Sequence, residues 1–396
     1  MKLSARAKSI GASPTLALDA KTKALISEGV DVISFGVGEP DFDTPDHIKE
    51  AAIVAIDAGF TKYTPASGIP ELKEAICAKF KEDNDLEYKP SQILVSCGAK
   101  HSIYNAVQVL CDEGDEVLIP APYWVSYPEM VNLAGGRPVI LSTTIDKGFK
   151  VTAEDIERHV TPKTSLLILN TPSNPTGAIY TKEELEAIAE VCVKHNIAVI
   201  SDEIYEKLVY EGEHVSFASI GPEVKDITIT VNGVSKAYAM TGWRIGYAAG
   251  PEDVIKAMSN LQSHSTSNAT SISQKAALEA LTGPQEPLYA MRIEFKKRRD
   301  YMVSRLNEMP GFQCLTPPGA FYVYPDVSEI IGKTLSGKRV TNDDVLAEIL
   351  LEDARIAVVP GSAFGTSGNL RFSYATSMEK IEEGLNRLAQ VLETLA

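Results

Sequence analysis

Short apolar runs alternate with helical patterns through the middle of the chain. Most of the runs are apolar without interruption, which is typical of strands buried on both faces. The segments between them have the period of helices that cover a sheet. The pattern predicts a mostly parallel α/β sheet with strands at Ile93–Val95, Val117–Ile119, Val139–Leu141, Leu166–Leu169, Ile197–Ile200, Ile227–Val231 and Ile245–Ala249.

One of the intervening helices has a well-marked start. Residues 181–184, Thr-Lys-Glu-Glu, have the form of a capping box, in which Thr181 and Glu184 each accept a backbone N–H. The residues that follow at helical spacing are Leu185, Ile188, Cys192 and His195. This β-α-β alternation is the reason for predicting a parallel sheet.

The last hundred residues have a different pattern, with fewer and shorter strands. The predicted strands are Ala320–Tyr324, Ile356–Val359 and Leu370–Tyr374. A helix is predicted over Thr341–Leu351, and a final helix repeats apolar residues on one face. These elements predict a smaller α+β lobe.

A long charged helix is expected where the two parts meet, near residue 290. Its basic residues are interpreted as a solvated helix face rather than a binding patch. They include Arg292, Lys296, Arg298 and Arg299.

Composition narrows the class of protein. A chain of 396 residues is too long for one small core and suggests two domains, or one domain with a lobe attached. With 44% hydrophobic and 23% charged residues, a globular protein is expected. The net charge of −15 argues against a nucleic-acid surface, which requires an excess of Lys and Arg.

The chain gives no sign of export or membrane insertion. The cysteines are scattered without a CxxC pair, so we expect buried thiols in a reducing compartment: Cys77, Cys97, Cys111, Cys192 and Cys314. No apolar stretch approaches the roughly 18 residues of a membrane span. An apolar signal-peptide region is interrupted by Gly11, Pro14 and Asp19. A cytoplasmic protein is therefore expected, with no membrane or nucleic-acid partner.

Polar residues follow several of the predicted strands, where ligands gather in α/β sheets. Gly98-Ala99-Lys100 opens a helix after the first strand, and such a start can approach a phosphate. Asn174 lies in a rigid loop with two X-Pro steps. Each feature by itself has an ordinary explanation, because many helices begin with Gly and many turns contain Asn.

Two later strand ends carry ionisable groups. Asp202 and Tyr205 follow one strand, where a carboxylate is costly to bury without a partner such as a protonated ring nitrogen. Lys236 follows the next strand, and Arg244 comes eight residues later. A lone carboxylate can equally be a helix cap, and a lone Lys or Arg is usually solvated or in an ion pair. Together, the four strand ends supply a phosphate cradle, an amide, a carboxylate with a phenol, and an amine with a guanidinium.

This constellation resembles the fold-type I, class I/II aminotransferases, which use pyridoxal 5′-phosphate (PLP). It is most similar to the bacterial aspartate and aspartate/prephenate subgroup. The matching motifs extend over essentially the whole chain: residues 36–45, 63–65, 121–124, 170–177, 202–205, 235–244 and 369–371.

The resemblance implies the fold and its division into domains. It implies a large domain with a mostly parallel, helix-covered sheet and a smaller α+β domain built from both termini. Residues 1–45 would join the small domain, 46–290 would form the large PLP-binding domain, and 291–396 would form the small C-terminal domain.

The resemblance also assigns roles to the cofactor-binding residues. Lys236 would hold PLP as a Schiff base and act as the base, Asp202 would bind the pyridine nitrogen, and Tyr205 would hydrogen-bond the phenolic oxygen with Asn174. Trp124, otherwise an ordinary core residue, would stack on the ring. The phosphate would be held by Gly98, Ala99, Lys100, Ser235 and Arg244, with Tyr63 from the neighbouring subunit of a homodimer with shared sites.

For the substrate, the resemblance implies a clamp on the α-carboxylate. Arg371 would bind it as a bidentate fork, with help from Gly38, Asn174 and Trp124. Lys100 and Thr15 match positions that bind a second carboxylate in the subgroup. Aspartate or glutamate is therefore expected as amino donor to a 2-oxo acid in a ping-pong reaction of amino-acid metabolism, and prephenate or arogenate is possible.

Other functions share parts of this pattern. A PLP β-lyase, an aminocyclopropane-carboxylate synthase-like lyase, or an aminotransferase for aromatic or neutral amino acids would use nearly all these residues. A dehydrogenase would rest on Gly36-Val-Gly38, which lacks a third Gly and is followed by Pro40. A PLP-binding regulator would need a DNA-binding domain, for which the chain has neither room nor charge. No metal site is expected.

Overall fold

The structure, a computed structural model, describes residues 1–11 and 13–396. Its strands are β1 (Ile33–Ser34), β2 (Ile93–Ser96), β3 (Glu116–Ala121), β4 (Arg137–Ser142), β5 (Thr164–Asn170), β6 (Ala198–Asp202), β7 (Thr228–Gly233), β8 (Gly246–Ala249), β9 (Tyr322–Val323), β10 (Thr334–Leu335), β11 (Lys338–Arg339), β12 (Ile356–Ala357), β13 (Val359–Pro360) and β14 (Leu370–Ser373).

The helices lie between and around these strands. They are α1 (Ala5–Ser9), α2 (Pro14–Ser27), α3 (Asp46–Asp57), α4 (Pro70–Asn84), α5 (Ala99–Leu110), α6 (Ser126–Ala134), α7 (Ala153–Glu157), α8 (Lys182–His195), α9 (Pro222–Asp226), α10 (Glu252–Ser265), α11 (Ser271–Thr282), α12 (Glu286–Asn307), α13 (Asp343–Asp353) and α14 (Met378–Leu392).

The central sheet contains every strand predicted for the middle of the chain. Its order is β2-β8-β7-β6-β5-β3-β4. All neighbours are parallel except β8, which runs antiparallel to both β2 and β7. The prediction of a mostly parallel α/β sheet is confirmed, and the strand ends differ from those predicted by one or a few residues.

The continuous apolar runs arise because helices cover both faces of this sheet. Leu166 and Ile168 of β5 pack in the cluster that includes α5 residues, whereas Leu167 and Leu169 pack in the cluster that includes α8 residues. Alternate side chains of a strand point to opposite faces, so both sets must be apolar. The predicted capping box is confirmed, since α8 begins after Thr181 with both reciprocal hydrogen bonds.

The C-terminal part builds its own core and takes in a segment from the N-terminal end. Strands β13, β14 and β9 form an antiparallel sheet, and β1 pairs in parallel with β12. Phe35 shares a buried cluster with Phe295 and Phe321. Residues separated by almost the whole chain are therefore packed together at this end of the molecule.

Two predictions for this part were wrong in detail. The run Ile356–Val359 is two strands in different sheets, because β12 pairs with β1 while β13 pairs with β14. The run Ala320–Tyr324 is a strand only at Tyr322–Val323, where β14 supplies a partner. An apolar run shows that residues are buried, but it does not show which neighbour they pair with.

The charged helix α12 is not simply a solvated face. Arg298 and Arg299 are buried, with Arg298 bonded to Asp41 at 2.7 Å. Arg299 donates to the Pro317 carbonyl at 2.9 Å and pairs with the Glu211 carboxylate at 2.7 Å. The interpretation of these two residues as solvated was wrong, because elements distant in sequence pack over their side of the helix.

In the described residues, no helix is both long enough and apolar enough to cross a membrane.

Candidate active site

A cavity of about 500 Å³ opens at the carboxyl ends of β5, β6 and β7. It lies at the edge of the sheet where the sequence places its polar residues. The cavity gathers most of the residues predicted for the site: Thr15, Gly38, Ala99, Lys100, Trp124, Asn174, Asp202, Tyr205, Ser235, Lys236, Arg244 and Arg371.

Asp202 is the last residue of β6, and its carboxylate is almost completely buried. One oxygen accepts a hydrogen bond from the Tyr127 hydroxyl at 2.6 Å, and the other accepts the Ile204 N–H at 3.3 Å. Burial raises the pKa of Asp202 to about 6, and these two donors oppose the rise. The carboxylate is held in place for a cationic partner in the cavity.

Lys236 lies three residues beyond β7 and carries the amine of the site. Its Nζ donates to the Gly38 carbonyl oxygen at 2.5 Å. Burial lowers the pKa of Lys236 to about 8, against the opposing charge of the exposed Glu39, and Arg371 and Arg244 lower it further. A larger fraction of this amine is neutral near pH 7 than of an ordinary lysine, so more of it is available to act as a nucleophile or base.

The end of β5 and the loop after it connect the backbone of Asp202 to the guanidinium of Arg371. Asn170 donates to the Asp202 carbonyl oxygen at 2.8 Å and accepts the Asn174 N–H at 2.8 Å. The Asn174 side-chain oxygen in turn accepts from Arg371 Nη1 at 3.0 Å. These bonds fix the direction of the Asn174 amide, whose N–H₂ group remains able to donate.

Arg371 lies on β14 and is buried. Its Nη2 donates to the Gly36 carbonyl oxygen at 2.7 Å, and its guanidinium lies 4.5 Å from the Tyr322 ring centroid and 5.0 Å from that of Phe364. Among the described residues, no carboxylate pairs with Arg371 and its Nε has no hydrogen-bond partner. Burial lowers its pKa. A buried cation without an anion is suited to bind one.

The start of α5 has the features of an anion site. Its first residue follows Gly98, which has a positive φ of 88° and gives the helix no side-chain cap. Arg244 donates to the Thr241 and Cys97 carbonyl oxygens at 2.8 and 3.2 Å and lies against Gly98. Free N–H groups at a helix N-terminus together with a guanidinium favour a phosphate.

Glycine is required beneath this helix start. A Cβ added to Gly246 of β8 would lie 2.1 Å from the Ala99 nitrogen, and one added to Gly98 would lie 2.4 Å from Arg244 Nη2. These are closer than real contacts, so the backbone reaches this arrangement only without side chains at the two positions.

Two aromatic contacts complete the walls of the cavity. The Trp124 ring meets Tyr127 edge-on at 5.4 Å, and Lys100 Nζ lies 4.7 Å from the Trp124 ring centroid. Partial burial of the ammonium and then the charge of Arg244 lower the pKa of Lys100. The Tyr205 hydroxyl is 3.0 Å from that of Tyr322.

Comparison with known proteins identifies the family. The family model described as aminotransferase class I and II matches residues 30–388. The chain is 52% identical over 397 residues to the aspartate aminotransferase of Geobacillus stearothermophilus, covering 100% of both chains. It is 54% identical over 379 residues to the aspartate/prephenate aminotransferase of Cereibacter sphaeroides, covering 95% of each. The chain belongs to the class I and II aminotransferases.

Solved structures give this aminotransferase close structural relatives. The aspartate aminotransferase of Rhizobium meliloti superposes with a TM-score of 0.97 at 47% identity, covering 100% of both chains. The Thermus thermophilus aspartate aminotransferase with maleate has a TM-score of 0.94 at 45% identity, covering 99% of this chain and 100% of that one. The expected fold class is confirmed.

Two of the predicted site residues do not line the cavity of this aminotransferase. Gly98 is behind it, where it opens α5 and supports Arg244. Tyr63 lies outside the cavity and is 91% exposed. The role predicted for Tyr63 requires a second subunit.

The sequence reasoning missed three polar residues of the site. Tyr127 holds Asp202, Asn170 holds Asn174, and Tyr322 meets Tyr205. Asn170 lies within a matched motif and Tyr322 within a predicted aromatic strand, so the sequence indicates both positions. It does not indicate their partners, because the contacts join different elements.

Proposed function

We propose that this aminotransferase binds PLP covalently through Lys236 and transfers the amino group of an acidic amino acid to a 2-oxo acid. The observation that carries the proposal is the convergence of three groups in one cavity. These are an amine of lowered pKa, a buried carboxyl of raised pKa and a buried guanidinium without an anion, on Lys236, Asp202 and Arg371.

The residues present fit the cofactor at each of its polar ends. Asp202, held by Tyr127, would pair with a protonated pyridine nitrogen, whose charge would lower the pKa of the carboxyl again. Tyr205 and Asn174 would face the phenolic oxygen, and Trp124 would stack on the ring. The phosphate would meet the start of α5, from Gly98 to Lys100, with Ser235 and Arg244.

PLP, when bound, supplies an electron sink for the electrons of a broken bond at the α-carbon. The protein must then move the proton. The side-chain amine of Lys236 would act as the base that takes the α-proton of the substrate and later gives it back. Its lowered pKa of about 8 makes the neutral amine available for this step.

Arg371 would bind the α-carboxylate of the substrate. Its guanidinium is held by the Gly36 carbonyl and the Asn174 amide, so it does not need to reorganise when an anion arrives. Asn174 and the backbone at Gly38 would complete the clamp. Because amino acids and 2-oxo acids share this carboxylate, one site would serve both halves of a ping-pong reaction.

The second carboxylate of an acidic substrate would meet Lys100 and Thr15. Both residues line the cavity. The named relatives are aspartate and aspartate/prephenate aminotransferases, and one solved relative is described with maleate, a dicarboxylate. Prephenate also has two carboxylates, and the relationship to aspartate/prephenate enzymes supports it as a second acceptor.

We further propose a homodimer with shared sites. Tyr63 is exposed, and so are three apolar residues on α3, Ile53, Val54 and Ile56. Exposed apolar side chains grouped in this way favour a subunit interface. Tyr63 of one subunit would then reach the phosphate in the other.

The domain limits and location of the protein belong to the same proposal. Residues 1–45 would join the small domain, 46–290 would bind PLP, and 291–396 would complete the small domain. The pairing of β1 with β12 supports a small domain built from both ends. A cytoplasmic enzyme acting on free amino acids and 2-oxo acids fits the family.

The decisive experiment is a borohydride trap followed by peptide mapping. We expect PLP to be fixed on Lys236 in the wild-type protein, and Lys236→Ala to abolish amino transfer from aspartate to 2-oxoglutarate. Amino transfer that survives in Lys236→Ala would overturn the proposal. Ammonia release without stoichiometric amino-acid product would instead identify a lyase.

A further inference from the structure

Two buried phenols meet at the base of the cavity. Tyr205 follows β6 and Tyr322 lies on β9, and their hydroxyl oxygens are 3.0 Å apart. Both are almost fully buried. Either oxygen can donate, so the direction of the hydrogen bond depends on the surroundings of each ring.

Arg371 makes Tyr322 the better donor. The guanidinium lies 4.5 Å from the Tyr322 ring centroid. Burial raises the pKa of both phenols, and the charge of Arg371 opposes the rise at both. At Tyr322 that charge is the largest effect after burial, whereas at Tyr205 it is smaller than the effect of Tyr322, which adds to the rise. The more acidic phenol of a neutral pair donates more readily, so Tyr322 donates and Tyr205 accepts.

The backbone at Gly38 restricts the Tyr322 hydroxyl to this partner. A Cβ on Gly38 would be only 3.0 Å from that oxygen, so the hydroxyl lies against the glycine. Within the described part of the chain, Tyr205 is the one hydrogen-bond partner of the Tyr322 hydroxyl. The nearby Gly38 carbonyl already accepts from Lys236.

We propose that Tyr322 is a positioning residue, which donates to Tyr205 and thereby directs the proton of Tyr205 toward the phenolic oxygen of PLP. A phenol has one hydroxyl proton. If Tyr205 donated it to Tyr322, it would have none to donate to the cofactor. This role rests on the proposed function, since it requires a cofactor oxygen within reach of Tyr205.

The test uses the pH dependence of the absorbance of bound PLP in Tyr322→Phe. The hydrogen bond that Tyr205 accepts from Tyr322 polarises the Tyr205 O–H, so its loss in the variant weakens the bond that Tyr205 donates to the phenolic oxygen. More negative charge then stays on that oxygen, and the Schiff-base nitrogen at Lys236 keeps its proton to a higher pH. In Tyr322→Phe we expect the pH midpoint of the absorbance change to rise by about half a unit, which is less than the rise expected in Tyr205→Phe.

A double variant separates this role from a general effect on the site. If Tyr322 acts through Tyr205, adding Tyr322→Phe to Tyr205→Phe moves the midpoint no further. The matched control is Tyr374→Phe, which removes another buried hydroxyl from the same region. The Tyr374 hydroxyl donates to the Ala320 carbonyl at 3.0 Å and not to the site. The pH midpoint of Tyr374→Phe should equal that of the wild type.

Several results would overturn the inference. An unchanged midpoint in Tyr322→Phe would do so, as would additive shifts in the double variant. A variant that no longer folds or retains PLP would also do so, because the hydroxyl would then be structural. Failure of the proposed function is distinct, since the wild-type protein itself would then show no trapped PLP at Lys236.

Discussion

At the scale of single residues, the site depends on charges that are buried without full compensation. The Asp202 carboxyl has a raised pKa, the Lys236 amine has a lowered one, and the Arg371 guanidinium has no anion among the described residues. Each arrangement costs stability in the empty protein and favours a ligand of opposite charge. The predictions at this scale change one such charge at a time.

Asp202→Asn should stabilise the cofactor-free protein at high pH. The folded-state pKa of about 6 lies above the ordinary 3.8, so the folded state holds this proton more tightly than the unfolded state. Ionisation of Asp202 in the folded state therefore lowers the free energy of unfolding. This loss of stability is absent below about pH 4 and reaches about 3 kcal/mol above pH 6. We expect the urea midpoint of the variant to exceed that of the wild type at pH 8 and to match it at pH 4. If the urea midpoints of the variant and the wild type differed equally at pH 8 and pH 4, the raised pKa of Asp202 would be contradicted.

Asp202→Asn has the opposite effect on the loaded enzyme. The amide cannot keep the pyridine nitrogen protonated, so the turnover number for aspartate should fall by about 10²-fold or more. The variant would therefore be more stable when empty and less active when loaded, and a general folding defect would not produce this combination.

Lys100→Ala should separate acidic from neutral substrates. Loss of the ammonium should lower kcat/KM for aspartate by about tenfold or more and leave phenylalanine or alanine turnover nearly unchanged. The control is Lys23→Ala, at a lysine that lines the same cavity, is 74% exposed and pairs with Asp19. Unchanged aspartate kinetics in Lys100→Ala would remove Lys100 from substrate recognition.

At the scale of elements, the site depends on how closely α5 approaches the sheet. The helix begins directly above β8, and Gly246 leaves room for the Ala99 N–H. Local sequence predicts the glycine-rich helix start but not this contact, which joins residues 147 positions apart in the chain.

Gly246→Ala should displace the start of α5 and weaken PLP binding by about tenfold. The new Cβ would lie 2.1 Å from the Ala99 nitrogen, so the backbone must move. The dissociation constant can be measured by titrating the cofactor-free protein with PLP. Gly242→Ala is the control, because no described atom beyond its two chain neighbours lies within 4 Å of its Cβ position. Equal affinity in both variants would exclude a role for the close approach.

Arg299→Ala tests the unexpected burial on α12. Arg299 is 1% exposed and bonds to Pro317, Glu211 and Asp300. Its loss should destabilise the protein by about 2 kcal/mol or more and lower the thermal midpoint. Lys297→Ala, whose side chain is 66% exposed, should change stability by less than about 0.5 kcal/mol. Similar thermal midpoints for Arg299→Ala and Lys297→Ala would instead support a solvated helix face.

At the scale of the whole molecule, the proposal places a residue of one subunit in the site of the other. Tyr63 does not line the cavity of its own chain and is 91% exposed. A residue that lies outside the cavity of its own chain would reach the phosphate only if a second copy of the chain brought the two together.

Hybrid dimers of Tyr63→Ala and Lys236→Ala subunits test this arrangement. If Tyr63 acts across the interface, one of the two sites in the hybrid has both native residues, and half the wild-type activity should return. If Tyr63 acts within its own chain, the hybrid should show no gain over the Tyr63→Ala subunit by itself. Each parent homodimer, purified and assayed separately, provides the baseline.

The sequence determined the elements and the chemical groups of this protein. Continuous apolar runs marked the strands of the central sheet, because strands covered on both faces must bury every side chain. Polar residues after those strands marked the site, because parallel strands present their carboxyl ends at one edge. The sequence predicts Asp202 and Lys236 as site residues in this way.

Only the tertiary structure decided which groups meet. Tyr127 bonds to Asp202 over 75 positions of the chain, Tyr205 to Tyr322 over 117, and Arg371 to the Gly36 carbonyl over 335. The antiparallel direction of β8 and the burial of Arg299 are likewise decided by contacts between elements that are distant in the sequence. Local pattern fixes burial and period, but such pairs depend on the packing of whole elements, which no short stretch of sequence encodes.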